Sequence, residues 1–198
     1  MAGLSFVTIA RKAYASGKTP GRPDARTWLR NQAKKTVYVN TNKLLQDPGV
    51  VTTMEPGKMY MFGYDPKHKA TLPYYDIFPL IFPFKVQGDR VWGINLHYLP
   101  IPQRAALMDE LYALVDNRFK NDNKKLRINY EILNGVAKFS AFRPCIKSYL
   151  AGHFMSKFLL IPYDQWDIAM ALPLARFQKA AQSYVWDDSM SILKDETW

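Results

Sequence analysis

Residues 57–100, GKMYMFGYDPKHKATLPYYDIFPLIFPFKVQGDRVWGINLHYLP, decide the fold. In KMYMFGYD the rings Tyr60, Phe62 and Tyr64 recur with period two, which places them on one face of a strand that Asp65-Pro66 ends. A loop, KHKATLPYYD, follows. IFPLIFPFKV is rich in Phe and Ile, but Pro79 and Pro83 each remove a ladder donor, so this strand is expected at an edge or bulged. Gly88-Asp89 marks a tight turn, and VWGINLHYL is the hairpin partner. Three such strands predict a curled antiparallel sheet, a small β-barrel-like unit of Src-homology-3-like shape.

Working outward, Pro102 opens a helix in which Ala105, Leu107, Met108, Leu111, Tyr112, Leu114 and Val115 form an apolar stripe, predicted to run to about Phe119. NDNKK is a loop, and LRINYEIL a short helix ending at Asn134-Gly135. Pro144 starts a further short helix, CIKSYLAG. KFLLI is a buried strand, and Asp164 caps the helix DQWDIAMA that Pro173 ends. A last helix, Leu174 to Asp187, carries Phe177, Ala181, Tyr184 and Trp186, with a frayed tail beyond Ser189. On the N-terminal side, residues 14–23, YASGKTPGRP, make an extended linker. Pro23-Asp24 then caps the helix ARTWLRNQAKK, which stops at Thr36-Val37. The fold class is therefore α+β: a small antiparallel sheet packed with C-terminal helices and preceded by an extended basic N-terminal arm. The expected division is 1–45 arm and helix, 46–188 globular domain, 189–198 tail.

The net charge of +10 is unevenly placed. Residues 1–45 hold Arg11, Lys12, Lys18, Arg22, Arg26, Arg30, Lys34, Lys35 and Lys43 against the single acid Asp24, and the rest of the chain is nearly balanced. A dense cationic segment seeks polyphosphate or an acidic protein surface. Arg26, Arg30 and Lys34 fall at i, i+4 and i+8, a basic stripe that is either a solvated face of a docked helix or a phosphate-contacting ridge. In the strand region, Lys58, Lys67 and Lys69 interleave with aromatics that could stack on unpaired bases. Core packing explains Tyr60, Phe62 and Tyr64 equally well, whereas Tyr74 and Tyr75 are better surface candidates.

Catalytic machinery is sparse. His68, His97 and His153 stand far apart without a metal-site spacing, and phosphate-loop, dinucleotide and nucleophile-elbow motifs are missing. His97 reads as a satisfied structural histidine and His68 as part of a cationic tip. Cys145, the only cysteine, excludes an internal disulfide and implies an intracellular origin. It is either a thiolate stabilised at a helix start or a small buried hydrophobe. No apolar run reaches membrane-spanning length, and no secretory signal is expected. No cofactor, metal or catalytic residue is implied.

The strings at 57–84, GINLHYLP (93–100), RAALMDELY (104–112), FRPCIKSYL (142–150) and WDIAMALPLARFQKA (166–180) resemble a virion protein family of contractile-tailed bacteriophages, from about Asn40 to Trp186. The resemblance points to DNA end protectors, head-completion proteins that shield the ends of packaged DNA, while other members carry only a structural virion role. The resemblance implies a non-enzymatic virion protein present in the host cytoplasm during assembly, and transfers no catalytic residue. The start of the strand region also resembles small-barrel toxin endoribonucleases, but Phe78 stands before Pro79 where their arginine would be. That departure argues for a shared shape without the nuclease chemistry.

Two functions follow as alternatives. In the first, Arg11, Lys12, Lys18, Arg22, Arg26, Arg30, Lys34 and Lys35, with Lys67 and Lys69 secondary, grip double-stranded DNA ends. In the second, the arm is an inter-subunit tether of a neck or baseplate, its cations meeting acidic surfaces of other virion proteins such as the portal.

Overall fold

The computed structural model describes residues 6–19, 23–35, 40–46, 49–116, 131, 134–135 and 140–195. Its centre is a six-stranded sheet ordered β1 (Val50–Val51), β7 (Phe158–Ile161), β2 (Met59–Met61), β4 (Leu80–Gln87), β5 (Arg90–Asn95) and β6 (Ile146–Leu150). Every neighbouring pair is antiparallel. A separate ribbon pairs β3 (Tyr75–Asp76) with β8 (Phe177–Gln178). β1 and β6 lie at opposite edges, so the antiparallel sheet expected is present but open, and does not close into a barrel.

Alternation sends successive side chains to two different cores. Met59, Met61, Leu80, Phe82, Ile94, Leu159 and Ile161 face the helical side. Tyr60, Phe62, Tyr64, Ile81, Val91, Tyr149 and Phe158 face the other, as the period-two reading of the three rings required. Phe62 is ringed edge-on by Tyr149, Phe154 and Phe158 at centroid distances of 5.3, 5.0 and 5.7 Å. Edge-to-face contacts of this kind add about 0.5–1.5 kcal/mol each to the area they bury. β4 sits inside the sheet, not at its edge; it tolerates Pro83 because the register with β5 shifts between Pro83 and Lys85.

The helices are α1 (Phe6–Ala15), α2 (Pro23–Lys34), α3 (Thr41–Leu44), α4 (Ile101–Asp116), α5 (Trp166–Ala171) and α6 (Gln182–Asp195). Ile9, Ala10, Ala13, Ala25, Leu29 and Ala33 belong to the same buried cluster as Leu107, Ile168 and Met170. The N-terminal segment is therefore not an extended arm: α1 and α2 are packed onto the core, and alanines at their contact faces let the backbones approach closely. Other expectations also change. CIKSYLAG is β6 followed by a 3-10 turn at Ala151–His153, because Ile146, Ser148 and Leu150 alternate with Lys147 and Tyr149 in register with β5. The Leu174–Asp187 helix becomes β8, a left-handed turn at Lys179 (φ 69°) and α6, which continues through the buried Ser189 to Asp195 where fraying was expected. The helix read at LRINYEIL, apart from Glu131, and the end of the α4 stripe beyond Asp116 lie outside the described residues.

Gly93 of β5 is where the sheet has least room. A Cβ there would stand 2.9 Å from the Phe82 carbonyl oxygen and 3.2 Å from Ile81 Cδ1. Gly93→Ala is expected to cost about 1–3 kcal/mol, the usual range for overpacking. Urea unfolding of the purified variant checks this, and an unchanged midpoint refutes it.

Candidate nucleic-acid interface

The cations singled out in the sequence divide into two chemical groups. On α2 the side chains of Arg26 and Arg30 turn inward. Arg30 donates from Nε to Asp167 Oδ1 at 2.9 Å and from Nη2 to Asp109 Oδ1 at 2.9 Å, while Arg26 Nη1 lies 3.5 Å from Asp109 Oδ1. Burial works against the Arg30 charge, but the bonds to both carboxylates hold its pKa above the ordinary value. The i, i+4 stripe is thus half structural: these two arginines dock α2 against α4 and α5. Lys69 is bound by both oxygens of Asp65 at 2.8 Å, and Lys18 lies 3.9 Å from Asp24. Arg11, Lys12, Lys34, Lys35 and Lys67 are exposed, with no carboxylate within 4.0 Å among the described residues. Arg22 lies outside the described residues.

Lys67 leads to a feature that the sequence reading did not assemble. A cleft of about 550 Å³ lies between residues 64–76 and the β5–β6 edge. It is lined by Tyr64, Tyr74, Tyr75, Tyr98 and Tyr149, and by Lys67, His68, Arg90 and Lys147. Lys67, His68 and Arg90 are exposed, and Tyr75 is half-buried. Lys147 Nζ sits 3.9 Å from the Tyr98 ring centroid. Burial lowers its pKa, with Cys145 and Asp188 pulling the other way at longer range. Lys147 is hidden from the sequence because CIKSYLAG reads as a helix, and Arg90 because only its pairing opposite Leu150 brings it to the cleft. The alternation in IKSYL is the signal that places Lys147 and Tyr149 together on one side of a strand.

Among the described residues Asp76 is the one carboxylate lining the cleft, and it is already occupied. Its Oδ1 accepts from the backbone N–H groups of Phe78 and Arg176, and its Oδ2 from His97 Nδ1 at 2.6 Å and Asn95 Nδ2 at 3.4 Å. Burial would raise the Asp76 pKa, but His97 and the two backbone donors hold it below the usual carboxylate range. Burial lowers the His97 pKa, Arg104 and Arg176 push the same way, and Asp76 opposes them. His97 is buried and bonded to Asp76 through Nδ1, but its Nε2 has no hydrogen-bond partner among the described residues, so the fully satisfied histidine expected is only half met. Cys145 is buried, and loss of hydration pushes its thiol up to about 12, so it packs as a small hydrophobe. Among the described residues no group of His, Cys, Asp or Glu could hold a metal ion, and no helix is long and apolar enough to cross a membrane.

Unpaired cations beside tyrosine rings are chemically suited to a polyphosphate with bases attached. Residues 9–191 match the family model of the phage T4 terminal DNA protecting protein, and the chain belongs to that family. No curated protein and no solved structure matches it. The family confirms the resemblance to phage DNA end protectors. It also extends that resemblance, since the match takes in α1 and α2, ahead of the strings that first carried it.

Two outcomes are expected from these contacts. Arg30→Ala removes the guanidinium that both Asp109 and the buried Asp167 carboxylate, 1% exposed, share, and should cost about 3–5 kcal/mol. Lys34→Ala and Lys35→Ala should each stay within about 0.5 kcal/mol; thermal melts of the three variants compare them directly. Secondly, Asp76 and His97 both have depressed pKa values, so the unfolded chain binds more protons in acid than the folded one. Their contribution is complete above about pH 6.5, the unperturbed histidine value, and drains away as pH falls. The melting temperature should drop between about pH 7 and 5, and His97→Gln should be less stable at neutrality but flatter across that window. A wild-type profile without slope there contradicts the assignment.

Proposed function

We propose that the protein binds the ends of packaged phage DNA and shields them as the head is completed, acting by occupancy and without a reaction of its own. The observation that carries this reading is the set of accessible cations left without acid partners, on α1 and α2 and around the cleft, in a chain of the terminal DNA protecting family. Arg11, Lys12, Lys34 and Lys35 supply the phosphate grip, with Arg22 and Lys18 between the two helices and Lys67 on the cleft rim. Arg26, Arg30 and Lys69 act indirectly, by holding α2 and the 65–69 turn in place. Contact of this kind is read by phosphate spacing, so it favours duplex of any sequence. The tether reading, with a neck or baseplate as partner, has less support because α1 and α2 are folded against the core.

The test is protection of linear duplex DNA from an exonuclease. Wild-type protein is expected to slow degradation and to bind with a steep salt dependence, about 0.9 in the log-log slope per phosphate contact. Replacing Arg11, Lys12, Lys34 and Lys35 together by Ala should flatten that slope and abolish protection while leaving the melting temperature unchanged. Failure of the wild-type protein either to bind or to protect linear duplex would sink the reading.

A further inference from the structure

We infer that the cleft between residues 64–76 and the β5–β6 edge is a seat for an unpaired terminal nucleotide, its base laid against Tyr75 and its phosphate drawn to Lys147, Arg90 and Lys67. The inference rests on the end-binding reading and sharpens it from a surface that attracts duplex to a pocket that recognises where a strand stops.

The volume argues for a small ligand. About 550 Å³ lies in the range of pockets that enclose a single nucleotide-sized molecule, and a stacked duplex does not enter such a space. The charges argue for an anion. Lys67, His68, Arg90 and Lys147 line the cleft, none of the first, third or fourth has a carboxylate within 4.0 Å among the described residues, and the one lining carboxylate, Asp76, has its oxygens taken by four donors. Lys147 is the most telling. Its half-buried ammonium lies against the Tyr98 ring, a placement that removes part of its water in return for a π face. A phosphate oxygen arriving there meets a cation that has already lost part of its hydration. The rings argue for a base. Five tyrosines line the walls, and Tyr75, half-buried and held at the start of β3, offers an accessible face at the mouth. Stacking of this kind tolerates any base, as a protein acting on DNA ends requires. An internal base pair cannot reach the cleft without being unstacked on both sides, whereas a terminal pair needs to open on only one.

The test compares three DNA ligands of equal length by fluorescence anisotropy at fixed salt: a duplex with a two-nucleotide overhang, a blunt duplex, and a dumbbell closed by hairpins at both ends. Wild-type protein is expected to prefer the overhang to the dumbbell by at least about fivefold, the lower bound for one stacked base. Tyr75→Ala and Lys147→Met should each erode that preference while dumbbell binding stays unchanged, and Lys67→Ala should weaken overhang binding more than dumbbell binding. Lys67 is exposed, so its variant separates loss of contact from loss of fold. Equal affinity for all three ligands, or a preference that survives the variants, overturns the cleft but leaves end protection by α1 and α2 intact. If the wild-type protein binds no duplex, the proposed function fails. A titration of full-length protein with a 5′-phosphorylated dinucleotide then judges the cleft alone: saturation that Lys147→Met abolishes upholds it, and no binding at millimolar concentration refutes it.

Discussion

A buried carboxylate cannot stay ionised in a protein interior unless several donors replace the water it has lost. Asp76 meets that requirement with four donors: the backbone N–H of Phe78 two residues on, the side chains of Asn95 and His97, and the backbone N–H of Arg176 a hundred residues away. Beside it Arg104, 1% exposed, spends its guanidinium on the carbonyl oxygens of Leu99, His97 and Met170. Trp186 closes the group, its ring 5.5 Å from that guanidinium and its N–H on the His97 carbonyl. Withdrawal from water lowers the Arg104 pKa to about 10, so it remains a cation. β3, the turn after β5, α4, α5 and α6 are all joined here. Breaking any one member leaves the others as unsatisfied buried polar groups, which is why the cluster specifies one arrangement and not several.

The cleft inherits its shape from that cluster. Tyr74 and Tyr75 immediately precede Asp76, so fixing the carboxylate fixes the rings at the mouth. Tyr74 is further held by its hydrogen bond to Asp188 of α6, and the β3–β8 ribbon adds the backbone register. On the opposite wall, β6 is an edge strand whose inner side pairs with β5 from Ile94–Ile146 to Arg90–Leu150. A wall that is rigid before any ligand arrives loses little entropy on binding. The floor belongs to the second core, where Tyr64 and Tyr149 meet edge-on at 4.9 Å, and the Tyr64 hydroxyl accepts from the Leu150 N–H.

Much of this was legible in the residues. The period-two rings at Tyr60, Phe62 and Tyr64, the bulge forced by Pro83 and the hairpin after Gly88 all follow from local rules, and so does the family resemblance carried by the strings around them. What stayed hidden was long-range. Nothing near Arg30 in the sequence announces Asp167, 137 positions away, and nothing near His97 announces Asp76, which lies 21 residues before it across two strands. The helix read at CIKSYLAG went wrong for a local reason: Pro144 is as good an opening for a strand as for a helix, and five residues cannot separate a period of two from one of 3.6 when a partner strand supplies the deciding hydrogen bonds. α1 was missed because a ten-residue helix is marginal by itself and forms through burial of Ile9, Ala10 and Ala13.

Counting cations in a basic segment thus says little about which of them meet a ligand. A basic helix in a folded protein serves two masters, since its inward charges must find acids in the core or remain costly, and only its outward ones are available to a polyanion. On α2 the division follows helical geometry: Ala25, Leu29 and Ala33 define the buried stripe, Arg26 and Arg30 flank it and reach Asp109 and Asp167, and Lys34 and Lys35 point to solvent past the last turn. The same sorting operates around the cleft, where Asp65 neutralises Lys69 and leaves Lys67 unpaired two residues away. Salt separates the two sets. Exposed cations are screened within about 10 Å at 0.1 M, while the partly buried Arg30 pair is shielded far less. A polyanion bound through the outward set is therefore released by added salt well before the helices that carry it come loose.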